Sequence, residues 1–218
     1  MSGLALYDYW RSSAAYRVRI GLKLKGVEYD ALPINILPGK DEQFGADFTA
    51  KNPQARVPAL ETGQGMLTQS LAILEWLDET YVVPPFLPSD PWKAAQVRAF
   101  AQTIACDIHP LNNLAAIGRL RSQLGADDAA IASWFVHWIA RGFAALETEL
   151  SRAHATAFAF GDTPTLADIC LVPQMANARR YKMDLSPYPR LLAIDETARA
   201  HPAFAAAAPE MQKDAIKK

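Results

Sequence analysis

Asn52-Pro53-Gln54-Ala55-Arg56-Val57-Pro58-Ala59-Leu60 reads as an extended loop entering a β-strand, and its second proline decides how that strand can be used. Proline has no N–H for a sheet ladder, so Pro58 belongs on a sheet edge or in a cis turn at the head of the strand. In the cis case the Val57 amide and carbonyl face outward and can pair with an extended, peptide-like ligand. On a plain edge Pro58 has no such duty. Working outward, Gly63 and Gly65 mark a turn, and residues 66–68 return as a strand. Ser70 then starts an amphipathic helix carrying Leu71, Leu74, Trp76 and Leu77 to about Tyr81. On the other side, Leu4 to Tyr9 is a short apolar strand followed by Arg11-Ser12-Ser13. A helix over 14–25 comes next, with Val18 and Leu22 on one face and Gly26 closing it. Residues 27–36 alternate as a strand, and 41–48 form a short helix with Phe44 and Phe48 four apart.

The resulting order of strand, helix, strand, helix, strand, strand, helix is thioredoxin-like and fills residues 1–83. Residues 84–91 place four prolines in eight positions, a stiff connector. Residues 92–218 read as helical, with segments over 92–124, 128–154, 164–181 and 189–200, and with Pro110 and Pro173 expected as kinks or breaks. Trp134 and Trp138 read as core beside Ile131 and Phe135. Thr165 and Asp168 form a capping box, while Ala203 to Ala208 is too short to matter. The fold class is therefore α/β plus all-α, a thioredoxin-like domain followed by a helical bundle.

Half of the 218 residues are hydrophobic and 21% are charged, which places the chain among ordinary globular proteins and away from disorder. A net charge of -1 gives no bulk attraction to nucleic acid or an anionic membrane. No stretch approaches the roughly 18 apolar residues of a membrane span, and the N-terminus has no leader pattern, so the expected location is cytoplasmic. Two cysteines, Cys106 and Cys170, stand in apolar runs without a C-x-x-C or ligand cluster. A disulfide framework, a dithiol redox site and a metal site are not expected, and both thiols read as inert core groups.

Three places can carry chemistry. Ser12-Ser13 stands at a strand-to-helix turn, where free amides and the helix dipole stabilise an anion. A thiolate held there has its pKa lowered, yet this turn has no cysteine, so the thiol must arrive with a ligand. A serine pair in that position also serves as a plain N-cap. Val57-Pro58 is the second place. Gln69-Ser70 is the third, a helix start that can hold a carboxylate or act simply as a cap.

Arg11-Ser12-Ser13-Ala14-Ala15-Tyr16-Arg17-Val18-Arg19-Ile20, Asn52-Pro53-Gln54 with Val57-Pro58-Ala59-Leu60, Thr68-Gln69-Ser70-Leu71, Cys106-Asp107-Ile108-His109-Pro110-Leu111-Asn112-Asn113 and Gly161 to Asp168 together resemble the zeta class of glutathione transferases, including bacterial maleylacetoacetate and maleylpyruvate isomerases. The resemblance covers nearly the whole chain and implies glutathione as cofactor and a homodimer. By position it puts glutathione contacts on Ser12, Ser13, Gln43, Val57, Gln69, Ser70, His109 and Asn113, with Ser12 or Ser13 at the thiolate. The implied reaction is cis–trans isomerisation of maleylacetoacetate to fumarylacetoacetate. A thiolate adds to the conjugated double bond, leaves it free to rotate, and departs. Arg11, Arg17 and Arg180 are candidates for the substrate carboxylates, because a guanidinium grips a carboxylate through two hydrogen bonds.

The sequence departs from the family at two points. Ala14 replaces a cysteine common in the class, which argues against dehalogenation. Leu114 and Ala115 follow the Asn pair where bacterial isomerases often have a basic residue, leaving Arg119 a turn farther on, so substrate identity is less fixed than cofactor identity. The competing readings are maleylpyruvate isomerisation, conjugation of electrophilic xenobiotics, and glutathione binding without catalysis.

Overall fold

Tyr7 and Ala59 are partners across two antiparallel strands and bury against Phe48, with Ile34, Val57 and Met66 at the margin. These strands are β1 (Ala5–Asp8) and β3 (Ala59–Thr62) in a computed structural model that describes residues 3–216. Their neighbours are β2 (Asp30–Pro33), parallel to β1, and β4 (Gly65–Thr68), antiparallel to β3, giving the order β2-β1-β3-β4. Side chains alternate across a strand. Tyr7 therefore meets Phe48 of α2 (Ala46–Lys51), while Leu6, Asp8 and Leu60 face the opposite side. Asp8 there receives Arg19 from α1 (Ser13–Leu24), which packs against α3 (Ser70–Thr80).

The expected order of elements holds, with shorter strands. β2 stops after four residues because it is an edge strand and its only ladder ends where β1 ends. The helix expected over 41–48 is a 3-10 turn at Glu42–Phe44 and a separate α2, divided by Gly45 in extended conformation. Gly26 closes α1 with a φ of +65°, which a side chain would disfavour, while the Val27 amide reaches back to the Leu22 carbonyl.

The chain divides into two compact units, and their limits differ from the sequence expectation. The first unit runs through Pro85 and regains the chain from His201 onward, and residues 86–200 form the second. The connector of 84–91 is not free. Lys25 donates to the Pro84 carbonyl in the first unit, and Phe86, 1% exposed, belongs to the second, where its carbonyl accepts the Leu166 amide. The alanine-rich stretch set aside above is a helix, α9 (Pro202–Ala207), packed on α1. Six residues cannot hold a helix alone. Phe204 and Ala207 bury completely, and Tyr16 and Arg19 donate to the Phe204 and Ala207 carbonyls.

In the second unit the helix expected over 92–124 is interrupted. Here α4 (Pro91–Gln102) runs into a π-turn at Thr103–Ile108 and a 3-10 turn at His109–Asn112, and Asn113 then caps α5 (Leu114–Leu124). Pro110 removes a helical donor and crowds the preceding turn, so the register changes there. Pro173, also expected to disturb its helix, lies inside an unbroken α7 (Leu166–Arg180). Next to it pack α6 (Asp128–Ser151) and α8 (Pro189–Ala200).

By length and composition α6 could cross a membrane, contrary to the sequence expectation. Its apolar stripe of Ile131, Phe135, Ile139, Phe143 and Leu146 is nevertheless buried, and its Glu147 carboxylate accepts the Arg190 and Leu191 amides at the start of α8. It is a core helix. Trp134 and Trp138 flank that stripe half-exposed rather than lying within it. Cys170 is buried as expected, but Cys106 is exposed, because the π-turn rotates it outward while Ile104 and Ile108 take the core positions.

Gly142 lets α6 approach that π-turn. A Cβ there would stand 2.2 Å from Ile108 Cδ1 and 2.6 Å from its Cγ1. Gly142→Ala is expected to destabilise the protein by about 1–3 kcal/mol through overpacking. Denaturant unfolding followed by helical circular dichroism checks this, and an unchanged midpoint would refute it.

Candidate functional site

The sheet register gathers the three sequence-predicted places at one end. β1 leads from its C-terminal end, through Tyr9, Trp10 and Arg11, to Ser12. Ala59 of β3 pairs with Tyr7 of β1 and Thr68 of β4, so the residues just before Ala59 and just after Thr68 reach the same end. Val57, Gln69 and Ser70 are therefore delivered beside the start of α1. A hydrogen bond from Arg17 Nη1 to Ser70 Oγ at 3.3 Å ties α1 to the head of α3.

Ser12 is the N-cap of α1, its Oγ accepting the Ala15 amide at 3.2 Å. Its own amide donates to the Tyr9 carbonyl, and Ser13 is the first helical residue. The first turns of α1 and α3 contain no acidic residue, so neither positive helix end is neutralised by a carboxylate of its own. In α3 the cap residue Gln69 makes no side-chain capping bond, which leaves the leading amides uncapped.

Gln69 also has a φ of +69°, rare for a residue with a side chain. Such backbone costs on the order of 1–3 kcal/mol and persists where surroundings hold it. Here Gln69 Nε2 donates to Gln54 Oε1 at 2.8 Å. Gln54 is in turn placed by Asn52, whose buried side chain accepts the Gln54 amide and donates to the Arg56 carbonyl. The sequence reading placed Asn52 and Gln54 in an extended loop and in the family motif but gave them no role of their own. An asparagine bonding the backbone two residues on is a turn signal that could have found them.

The Val57-Pro58 peptide is cis. Val57 precedes the first paired residue of β3, so its amide and carbonyl lie outside the ladders to β1 and β4. Gln43 is buried with Oε1 lacking a protein partner among the described residues, and its Nε2 lies 3.5 Å from Asp41 Oδ1. An open cavity of about 300 Å³ runs beside the turn, with Trp10, Asn35, Leu37, Glu42 and Asp214 in its wall. A ligand with a peptide backbone, a carboxylate and an anionic centre fits this set of helix starts, an unpaired strand segment and a buried amide oxygen.

The arginines part ways. Arg11 is half-buried with its guanidinium 5.6 Å from the Trp10 ring centre. Arg17, expected to take a substrate carboxylate, is 1% exposed beneath Ser70, because its place on α1 faces α3. Nearby, Arg19 pairs with the Asp8 carboxylate at 2.7 and 2.9 Å. Burial holds the Asp8 carboxyl above its ordinary value, against the pull of Arg19 and with a smaller push from Asp214. Sequence reading missed both Arg19 and Asp214.

The remaining expected residues belong to the second unit. His109 opens the 3-10 turn half-buried, and Asn113 caps α5 by accepting the Ala116 amide at 2.9 Å. Arg180 is exposed at the end of α7, with Nη2 3.1 Å from the Tyr181 hydroxyl.

Residues 2–79 match the N-terminal domain of glutathione S-transferases, and residues 128–194 match the C-terminal domain. A maleylpyruvate isomerase from Ralstonia is 47% identical over 97% of this chain and 99% of its own length. The chain belongs to the glutathione S-transferase family. A glutathione transferase of the zeta class, a maleylpyruvate isomerase solved in its holo form, superposes with a TM-score of 0.95 at 47% identity, over 97% of this chain and all of that one. The maleylacetoacetate isomerase of Anaeromyxobacter dehalogenans, solved with glutathione in its active site, gives a TM-score of 0.87 at 45% identity, covering 98% of each chain. The transferase fold thus accounts for both units, with the gathered sheet end in the domain that matches the family's N-terminal model.

Proposed function

We propose that this transferase binds glutathione at the gathered end of the sheet and isomerises maleylacetoacetate to fumarylacetoacetate. One observation carries the reading. The serine-capped start of α1, the uncapped start of α3 and the backbone of Val57 outside the sheet ladders meet at a site whose unit contains no cysteine, since the chain's two thiols are at 106 and 170. The sulfur must therefore come with the ligand. Bound glutathione supplies a thiolate able to add reversibly to an electrophilic cis double bond and so permit its rotation.

The chain's own residues hold and orient. The Ser13 amide and the hydroxyls of Ser12 and Ser13 stabilise the sulfur's negative charge, favouring loss of its proton near neutral pH. Val57 pairs with the ligand backbone in strand fashion. Gln69, Ser70 and the leading amides of α3 take a carboxylate, and Arg17 orients the Ser70 hydroxyl from behind. Gln43 offers its amide oxygen. Arg11 grips a substrate carboxylate and favours charge that develops toward it. The same reading keeps the homodimer that the resemblance implies and the cytoplasmic location expected from the sequence.

Maleylpyruvate is the second reading, favoured by the higher similarity to the maleylpyruvate isomerase. Rates with maleylacetoacetate, maleylpyruvate and chlorodinitrobenzene, each with glutathione, test both. Isomerisation of one maleyl acid should far outrun conjugation of the aromatic chloride. Absence of heat on titrating glutathione, together with inert cis substrates, would overturn the proposal.

A further inference from the structure

We infer that Asp214, close to the C-terminus, is a positioning residue for the Ser12–Ser13 turn, an inference that rests on the function proposed above. Asp214 Oδ2 accepts the Trp10 amide at 3.0 Å, across 204 residues of sequence. The Trp10 carbonyl is held from the other direction by Arg19 Nη2 at 2.9 Å. Both backbone groups of Trp10 are thus bound by side chains, one from α1 and one from the end of the chain. Only Arg11 separates Trp10 from the cap Ser12. Fixing Trp10 fixes the line along which Ser12 and Ser13 enter the helix, and Arg11 rests on the Trp10 ring.

The segment bearing Asp214 is itself anchored. The buried Phe204 holds α9 on α1, and Arg19 joins the Ala207 carbonyl, the Asp8 carboxylate and the Trp10 carbonyl in one cluster. A 3-10 turn at Pro209–Met211 follows, and Gln212 Nε2 donates to the Ala208 carbonyl at 2.8 Å. The chain therefore returns to the turn over a defined path. A carboxylate is suited to this task because a charged acceptor makes a stronger bond to an amide than a neutral one.

The test compares the full-length wild type with Asp214→Ala and Asp214→Asn. Measured for each are kcat and KM with glutathione and maleylpyruvate or maleylacetoacetate, the pKa of the bound thiol from its thiolate absorbance, and the melting temperature. Asp214→Ala is expected to lower kcat about 10²-fold, the scale of a misplaced reacting group. It should also raise the bound thiol's pKa. Asp214→Asn keeps an oxygen that can accept the Trp10 amide and should recover most of kcat. The inference fails if the alanine variant matches wild type in kcat and thiol titration, if its loss only follows a reduced folded fraction, or if asparagine is as impaired as alanine. A wild-type protein that neither binds glutathione nor isomerises would instead remove the functional reading, and this inference with it.

Discussion

Replacing Ser12 and Ser13 together with alanine is expected to slow isomerisation by about 10²- to 10³-fold, the scale seen when a donor to a developing anion is removed. The bound thiol should titrate at higher pH, so the rising limb of the pH–rate profile moves to the alkaline side. Single variants separate the two serines, because the structure gives them different work. The Ser12 hydroxyl accepts the Ala15 amide and caps α1, so Ser12→Ala should also cost about 1 kcal/mol of stability. Ser13, already inside the helix, has no capping duty, and Ser13→Ala should leave the melting temperature unchanged. The serine carrying the larger share of the kinetic loss is the one at the sulfur. An unmoved pH–rate profile in the double variant would count against the thiolate turn.

Asp168→Ala is expected to destabilise the protein by about 3 kcal/mol or more. Asp168 is fully buried at the head of α7 and accepts three hydrogen bonds, from the Ala159 amide, the Thr165 amide and the Thr165 hydroxyl, at 2.8 to 2.9 Å. Alanine leaves buried donors unsatisfied, each worth about 1–3 kcal/mol. Asparagine keeps one acceptor and should recover part of the loss. Urea unfolding of the three proteins decides the matter, and equal midpoints would show that the capping box is dispensable.

The capping box also shows what a sequence makes legible. Thr165 and Asp168 are three residues apart, and their mutual bonds depend only on a helix beginning between them, so spacing sufficed to read them. The same holds for the order of strands and helices in the first unit, for Gly26 at the end of α1, and for the serines and Gln69-Ser70 at helix starts. Pro110 was legible as a break because its missing donor acts within one turn. Pro173 was not, because its helix is buried along nearly its whole length and packing outweighs one lost backbone bond. Cys106 was misread since the π-turn shifts the register by which the core face is counted.

The sequence alone determined those features whose partners lie within about four residues: the periodic faces, the caps and the breaks. Tertiary structure alone decided which distant groups meet. It turned Arg17 inward to Ser70, set Arg19 on Asp8, brought α9 back onto α1, and carried Asp214 to the Trp10 amide. Helical periodicity and capping are enforced by local backbone geometry, whereas contacts across scores of residues exist only once burial of Phe204, Leu6 and their neighbours has fixed the path of the whole chain.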